Sequence, residues 1–181
     1  MKSDAFARFA RNLPLKYLLM ALLPMAVLLY TPISNFVVLH FGEKILLETR
    51  PVDPRDILRG DYVVLEYEIE NVPDGMMPEE IREESDYRGR RREVFVSLQL
   101  DGDGIARVAG VSMARPPGLY LKATVRTSWR FVGNLDYNLG VYYVPEGTGR
   151  ELERAINAGT VLADVRVLRG RGVIKKLEVA E

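Results

Sequence analysis

Cysteine is absent from this chain, which excludes disulfides, thiolate metal centres and cysteine nucleophiles. Histidine is nearly as scarce: His40 is the single one, too little to build a metal centre without thiolates to help it. There is no surplus of either charge, since Lys plus Arg and Asp plus Glu both number 25, and a nucleic-acid partner is therefore left without an electrostatic basis. Internal repeats and low-complexity tracts are also missing, so nothing divides the 181 residues into an array. These absences remove reaction classes rather than name one. Catalytic, cofactor-binding and metal-ligating residues are accordingly assigned to none.

What is present first is one long apolar run. Tyr17 to Leu39 carries no charged residue, and as a helix it reaches roughly 35 Å, enough for a hydrocarbon core of about 30 Å. Pro24 and Pro32 interrupt it and predict a kinked span. Lys2, Arg8, Arg11 and Lys16 precede the run against the single acid Asp4. The positive-inside rule then makes residues 1–16 cytoplasmic, residues 17–40 a single-pass anchor in the inner membrane, and the remainder, 43–181, a periplasmic domain. A cleaved signal peptide is the competing reading. The run continues through Phe36, Val37, Val38 and Leu39 with no small-x-small cleavage site after it, which favours an uncleaved anchor.

After the anchor, strand patterns dominate. Period-2 alternation predicts strands over 45–49, 61–70, 93–100, 105–111, 119–131, 140–144, 161–168 and 173–179. The segment 119–131 would extend roughly 43 Å, so a bend or bulge is expected within it. Asp101-Gly102-Asp103-Gly104 and Arg169-Gly170-Arg171-Gly172 read as hairpin loops. Thr148 and Glu151 have capping-box spacing and Gly159 is a C-terminal stop, so 148–158 is the expected helical insert, with a shorter helix over 78–84. The expected fold class is mixed and β-rich (α+β): one N-terminal transmembrane helix, then a single, mostly antiparallel β domain, a sandwich or open barrel, with that insert.

The most informative stretch is Gly60-Asp61-Tyr62-Val63-Val64-Leu65-Glu66-Tyr67-Glu68-Ile69, led in by Asp53-Pro54-Arg55-Asp56. Val63, Leu65, Tyr67 and Ile69 share one face of a strand, of which Leu65, Tyr67 and Ile69 are assigned to the core; Tyr62, Val64, Glu66 and Glu68 share the other. At Gly60, Asp61, Tyr62, Leu65 and Tyr67, and again at Tyr143-Val144-Pro145-Glu146-Gly147-Thr148-Gly149-Arg150-Glu151-Leu152-Glu153, the chain resembles the GDYxxLxY family of small bacterial membrane-anchored proteins. That family has no established biochemical activity. Its members tend to be encoded beside, or fused to, a multi-pass membrane protein, so the resemblance implies such a partner here.

Several sharper chemistries compete with plain structure. Ser112-Met113-Ala114-Arg115-Pro116 with Lys122 as base suggests a Ser/Lys hydrolase like type I signal peptidase. In that family the Ser-Met string precedes the Gly-Asp motif, whereas here Gly60-Asp61 comes first, and Lys122 falls on the polar face of its strand. Asp61 beside Arg59 and Arg55 is better read as a turn cap than as a catalytic acid. Asp101 to Gly104 lacks the later ligands of a calcium loop. Gly147 to Arg150 ahead of a helix offers free amides to an anion, though capping alone accounts for it. Arg88, Arg90, Arg91 and Arg92 are offset by Glu79, Glu80, Glu83 and Glu84 upstream.

The expected function is therefore a non-catalytic, membrane-anchored accessory domain of a multi-pass envelope protein. Its lipid contact is residues 17–39, and its partner contacts are drawn from Tyr62, Glu66, Glu68 and the 146–150 loop with Glu146 and Arg150. A glycan- or peptide-binding envelope domain is the alternative, because Tyr62, Tyr67, Tyr120, Trp129, Tyr137, Tyr142 and Tyr143 are numerous enough to line a binding face.

Overall fold

The computed structural model describes residues 15–50, 62–83, 91–128, 131–144, 155–156 and 161–179. The chain forms two compact units that divide between Val37 and Val38. The first is dominated by an α-helix, Leu15–Phe41, that contains both Pro24 and Pro32 and continues into the second unit. Its stretch Leu19–Phe41 is long and apolar enough to cross a membrane, and almost none of it is buried by protein. Leu, Met and Val side chains are exposed all round it.

The second unit begins with the last turn of that helix. Val38 is buried, the Gly42 amide donates to the Val38 carbonyl at 2.8 Å, and β1 (Glu43–Arg50) starts at the next residue. Glycine is required at 42 by space: a Cβ there would meet the Val38 carbonyl oxygen, the Val167 amide nitrogen at 3.0 Å and Arg166 Cβ at 3.1 Å. The first two are backbone atoms that cannot swing away.

Among the described residues there are ten strands, β1 included, and they pair antiparallel. β2 (Tyr62–Val64) pairs with β8 (Val141–Tyr143) as a ribbon. β3 (Glu66–Tyr67) is an edge of a four-stranded sheet that continues through β1 and β9 (Val161–Leu168) to β10 (Arg171–Val179). A second sheet runs β5 (Ala106–Ser112), β4 (Arg92–Leu100), β6 (Tyr120–Ser128), β7 (Phe131–Asp136). The sheets curl as half-barrels. They are tied by the parallel bridges Leu46 to Ile105 and Leu121 to Gly170, with Leu46 N donating to Gly104 O at 3.0 Å and Lys122 N to Gly170 O at 2.8 Å.

Alternation explains the packing. Val161, Ala163, Val165 and Val167 of β9 point into one core with Ile45 and Leu47 of β1 and with Val94, Val96, Leu121, Ala123 and Val125 of the second sheet. Ile156, in the described helical turn 155–156, reaches the same core at 2 % exposure. The short helix Glu79–Glu83 follows Pro78 as expected and buries Ile81. The Asp101 to Gly104 loop is a hairpin turn: Asp101 Oδ1 accepts the amides of Asp103 at 3.1 Å and Ile105 at 2.9 Å, and Gly104 takes φ +80°.

Three sequence expectations need correction. The strand over 119–131 ends at Ser128, which pairs with Phe131, so the chain doubles back as β7; the anticipated irregularity is the register shift between Arg126 and Thr127. Uninterrupted alternation cannot announce a reversal when the residues on both sides of it suit a strand equally well. Trp129 and Arg130 lie outside the described residues. The strand over 61–70 changes sheets at Leu65 and becomes a 3-10 turn at Glu68–Glu70. Finally, the loop between β9 and β10 is Arg169-Gly170 alone, both with positive φ, while Arg171 and Gly172 belong to β10.

Candidate functional site

Odd and even positions of the motif strand go to different tasks. Val63, Leu65, Tyr67 and Ile69 are all buried, whereas Tyr62 and Val64 are half-exposed and Glu66 and Glu68 are exposed. Across the ribbon Tyr62 faces Tyr143 and Val64 faces Val141, so these four side chains share its outer face. Tyr143 is 77 % exposed and Val141 49 %, and the Tyr62 and Tyr143 rings meet edge to face at 6.2 Å. Of the seven aromatics expected to line a face, Tyr62 and Tyr143 meet here, whereas Tyr67, Tyr120 and Tyr137 are buried and Trp129 lies outside the described residues. Which rings compose it depends on the pairing of strands nearly eighty residues apart.

Beside that face lies a cleft of about 370 Å³, within the range of small-molecule sites though near its lower end. Val64 and Val141 form the shared border; Glu66 and Glu70 come from one wall, and Asn134, Asp136 and Asn138 from the other. Sequence reasoning missed the second wall entirely. The signal that existed was the polar run Asn134 to Asn138 between apolar strands, which reads equally well as an ordinary turn.

The walls are laced together along the floor. Leu65 N donates to Gly140 O at 2.9 Å, the Tyr67 hydroxyl to Leu139 O at 3.0 Å, and the Tyr137 hydroxyl to Ile69 O at 2.8 Å, and Asn71 bridges Asn134. The four links run antiparallel, so the cleft is held open by the fold itself. Asp136 Oδ1 accepts the Asn138 amide at 2.8 Å, which fixes Asn138 in its left-handed conformation at φ 58°.

Burial pushes both phenols, Tyr67 and Tyr137, far above the ordinary value of 10.0, and the nearby Glu70 carboxylate adds to the effect. The sign of the consequence is definite. Both groups stay neutral in the folded protein while the unfolded chain ionises from about pH 10 upward, so folding stability is fully present below pH 10 and lost above it. The expected loss is about 1.4 kcal/mol per pH unit for each tyrosine. Urea unfolding between pH 9 and pH 11 on the natural chain and on Tyr137→Phe checks this; the variant should lose about half of this tyrosine-dependent slope.

The other predicted residues fall as follows. Glu66 lines the cleft, and Glu68 pairs with Arg50 at 3.4 Å. Gly60, Asp61, Glu146 and Arg150 lie outside the described residues, as do Arg55, Arg59, Arg88 and Arg90. Ser112 and Lys122 both flank Phe95 of β4, from the two opposite sides, which puts them two strand spacings, about 10 Å, apart. The Ser112 hydroxyl donates to Ala114 O at 2.6 Å and the Lys122 ammonium to Glu93 at 2.9 Å, so the structure does not bring the two together. His40 is exposed and stacks edge to face on Phe41. Among the described residues no group of three His, Cys, Asp or Glu side chains is placed to hold a metal ion.

An apolar helix leads into a curled β domain that carries an exposed aromatic ribbon beside a polar cleft, and these features define a β-rich protein with one candidate membrane helix. The chain belongs to the GDYXXLXY protein family, which it matches over residues 24–177. No curated protein and no solved structure matches it. Within the motif, Leu65 and Tyr67 are core and brace, and Tyr62 is the described member left half-exposed on the ribbon's outer face.

Proposed function

We propose that this protein is a non-catalytic docking domain anchored in a bacterial inner membrane. Its N-terminus is cytoplasmic, the helix crosses once, and the β domain in the periplasm receives an extramembrane segment of a multi-pass membrane partner. The observation that carries this reading is the continuity of the Tyr62, Val64, Val141 and Tyr143 face with the acidic cleft beside it. An apolar or aromatic side chain of the partner packs on the rings, and a cationic one enters between Glu66, Glu70 and Asp136. Such a surface needs no nucleophile and no cofactor.

Affinity purification of the full-length protein from its native membrane in mild detergent, with mass spectrometry of what co-elutes, tests it. A stoichiometric multi-pass protein is expected, and Tyr62→Ser/Tyr143→Ser should lower its recovery by at least about tenfold, as aromatic anchors at interface centres do. A protein that elutes alone, or equal recovery with the variant, overturns the reading. A second reading, glycan binding, is favoured by one specific feature: Asn134, Asn138 and Asp136 offer amide and carboxylate groups to sugar hydroxyls beside aromatic rings. Binding of periplasmic glycan fragments to a chain that elutes alone would select it.

A further inference from the structure

Several cations lie at the end of the four-stranded sheet next to Gly42. Lys44 lies three residues beyond Phe41, the last residue of the apolar helix, and so within about 10 Å of chain from it. Its cross-strand partner is Arg166, whose Cβ lies against Gly42. Glu43 pairs with Val167, and the next pair outward, Leu168 with Arg171, closes the turn through exposed Arg169. That turn packs on Tyr120, and Arg115 lies over the Tyr120 ring at 5.2 Å. Five cations therefore gather at this end. The acids among the described residues there include Glu43, at the strand start, Asp164, which is 2 % exposed and held under Arg166 at 3.6 Å and Lys44 at 4.0 Å, Glu178, whose carboxylate also feels Lys44, and Glu93, held at 2.9 Å by Lys122 beside Gly170; Arg115, Arg169 and Arg171 stand nearest the turn itself.

We propose that this edge, Lys44, Arg115, Arg166, Arg169 and Arg171, lies on the anionic phospholipid headgroups of the membrane in which the helix is anchored. The inference rests on the anchoring part of the proposed function. Register supports it: Arg169 stands two residues beyond Val167, the partner of Glu43, or roughly 7 Å along the strand, at the end of the sheet where the chain leaves the helix. A headgroup layer within the Debye length of about 8 Å at physiological salt is felt by cations at that end. Each cation contributes a factor of about five to the ratio of docked to undocked domain. Such docking would set the height and tilt of the Tyr62 to Tyr143 face above the bilayer.

The test uses the full-length protein in nanodiscs of phosphatidylcholine alone and of an equimolar mixture with phosphatidylglycerol. Amide hydrogen exchange is read at residues 168–172. Exchange there should be slower in the anionic discs by about tenfold or more, and the difference should vanish at high salt and in Lys44→Gln/Arg169→Gln/Arg171→Gln. The salt response of the unaltered chain makes the result independent of whether the variant folds. Equal exchange in the two disc types, or protection that ignores salt, overturns the proposal while leaving the anchor intact. A chain that elutes free of lipid overturns the anchor and the proposal with it.

Discussion

Tyr67→Ala should lower the melting temperature of the β domain by an amount on the order of 10 °C and abolish whatever binds the cleft. Tyr67 has no solvent exposure, packs in the core with Leu65 and Ile69, and hangs its hydroxyl on the Leu139 carbonyl across the cleft floor. Truncation removes a large buried ring, worth about 3–5 kcal/mol, and leaves that carbonyl without its donor. Tyr67→Phe separates the two contributions: it keeps the ring and loses only the hydrogen bond, and should cost about 1–3 kcal/mol. Circular dichroism melts of the pair decide the matter. If Tyr67→Phe proves as damaging as Tyr67→Ala, the hydroxyl dominates; if it is silent, the brace across the cleft is not a stabilising element and the account of a preformed cleft fails.

Gly170→Ala is expected to cost about 2–4 kcal/mol, far more than the same change at Gly104. Both glycines occupy the left-handed region, at φ +84° and φ +80°, so an alanine pays about 1–2 kcal/mol for conformation at either place. Their surroundings differ. A Cβ at Gly104 meets nothing within 4 Å, whereas at Gly170 it would enter the Tyr120 ring and touch Lys122 Cγ at 3.0 Å. The turn would have to retreat from β6 and surrender the 2.8 Å bond from Lys122 N to Gly170 O, one of the links between the sheets. Urea titrations of the two variants isolate the packing contribution, because the conformational cost is common to both. Equal losses would mean that the turn does not clamp the sheets together.

Much of this architecture is legible in the residues themselves. The apolar run predicts the N-terminal helix, and eight stretches of alternation coincide with the cores of observed strands, because burial of one sheet face is written locally, every second residue. The assignment of Leu65, Tyr67 and Ile69 to the interior holds, and Val63 of the same face joins them, even though the single strand expected there is broken, since a change of sheet at Leu65 preserves which side faces the core. The reversal between Ser128 and Phe131 escapes detection because no glycine or proline marks it and each flanking residue is a good strand former.

The cleft is a different matter. The outward position of Glu66 marks it as a candidate contact residue, but the opposing wall of Asn134, Asp136 and Asn138 lies about seventy residues away, and no local pattern couples the two. The same holds for the bridges from Tyr67 to Leu139 and from Tyr137 to Ile69, and for the meeting of Lys44 with Arg166 and the turn at Arg169. The sequence by itself determined the apolar helix, the absence of cysteine chemistry, the strand faces and the family. Only the tertiary structure decided which faces meet, because strand partners and carbonyl acceptors are chosen by packing between distant segments, and local periodicity carries no record of the partner.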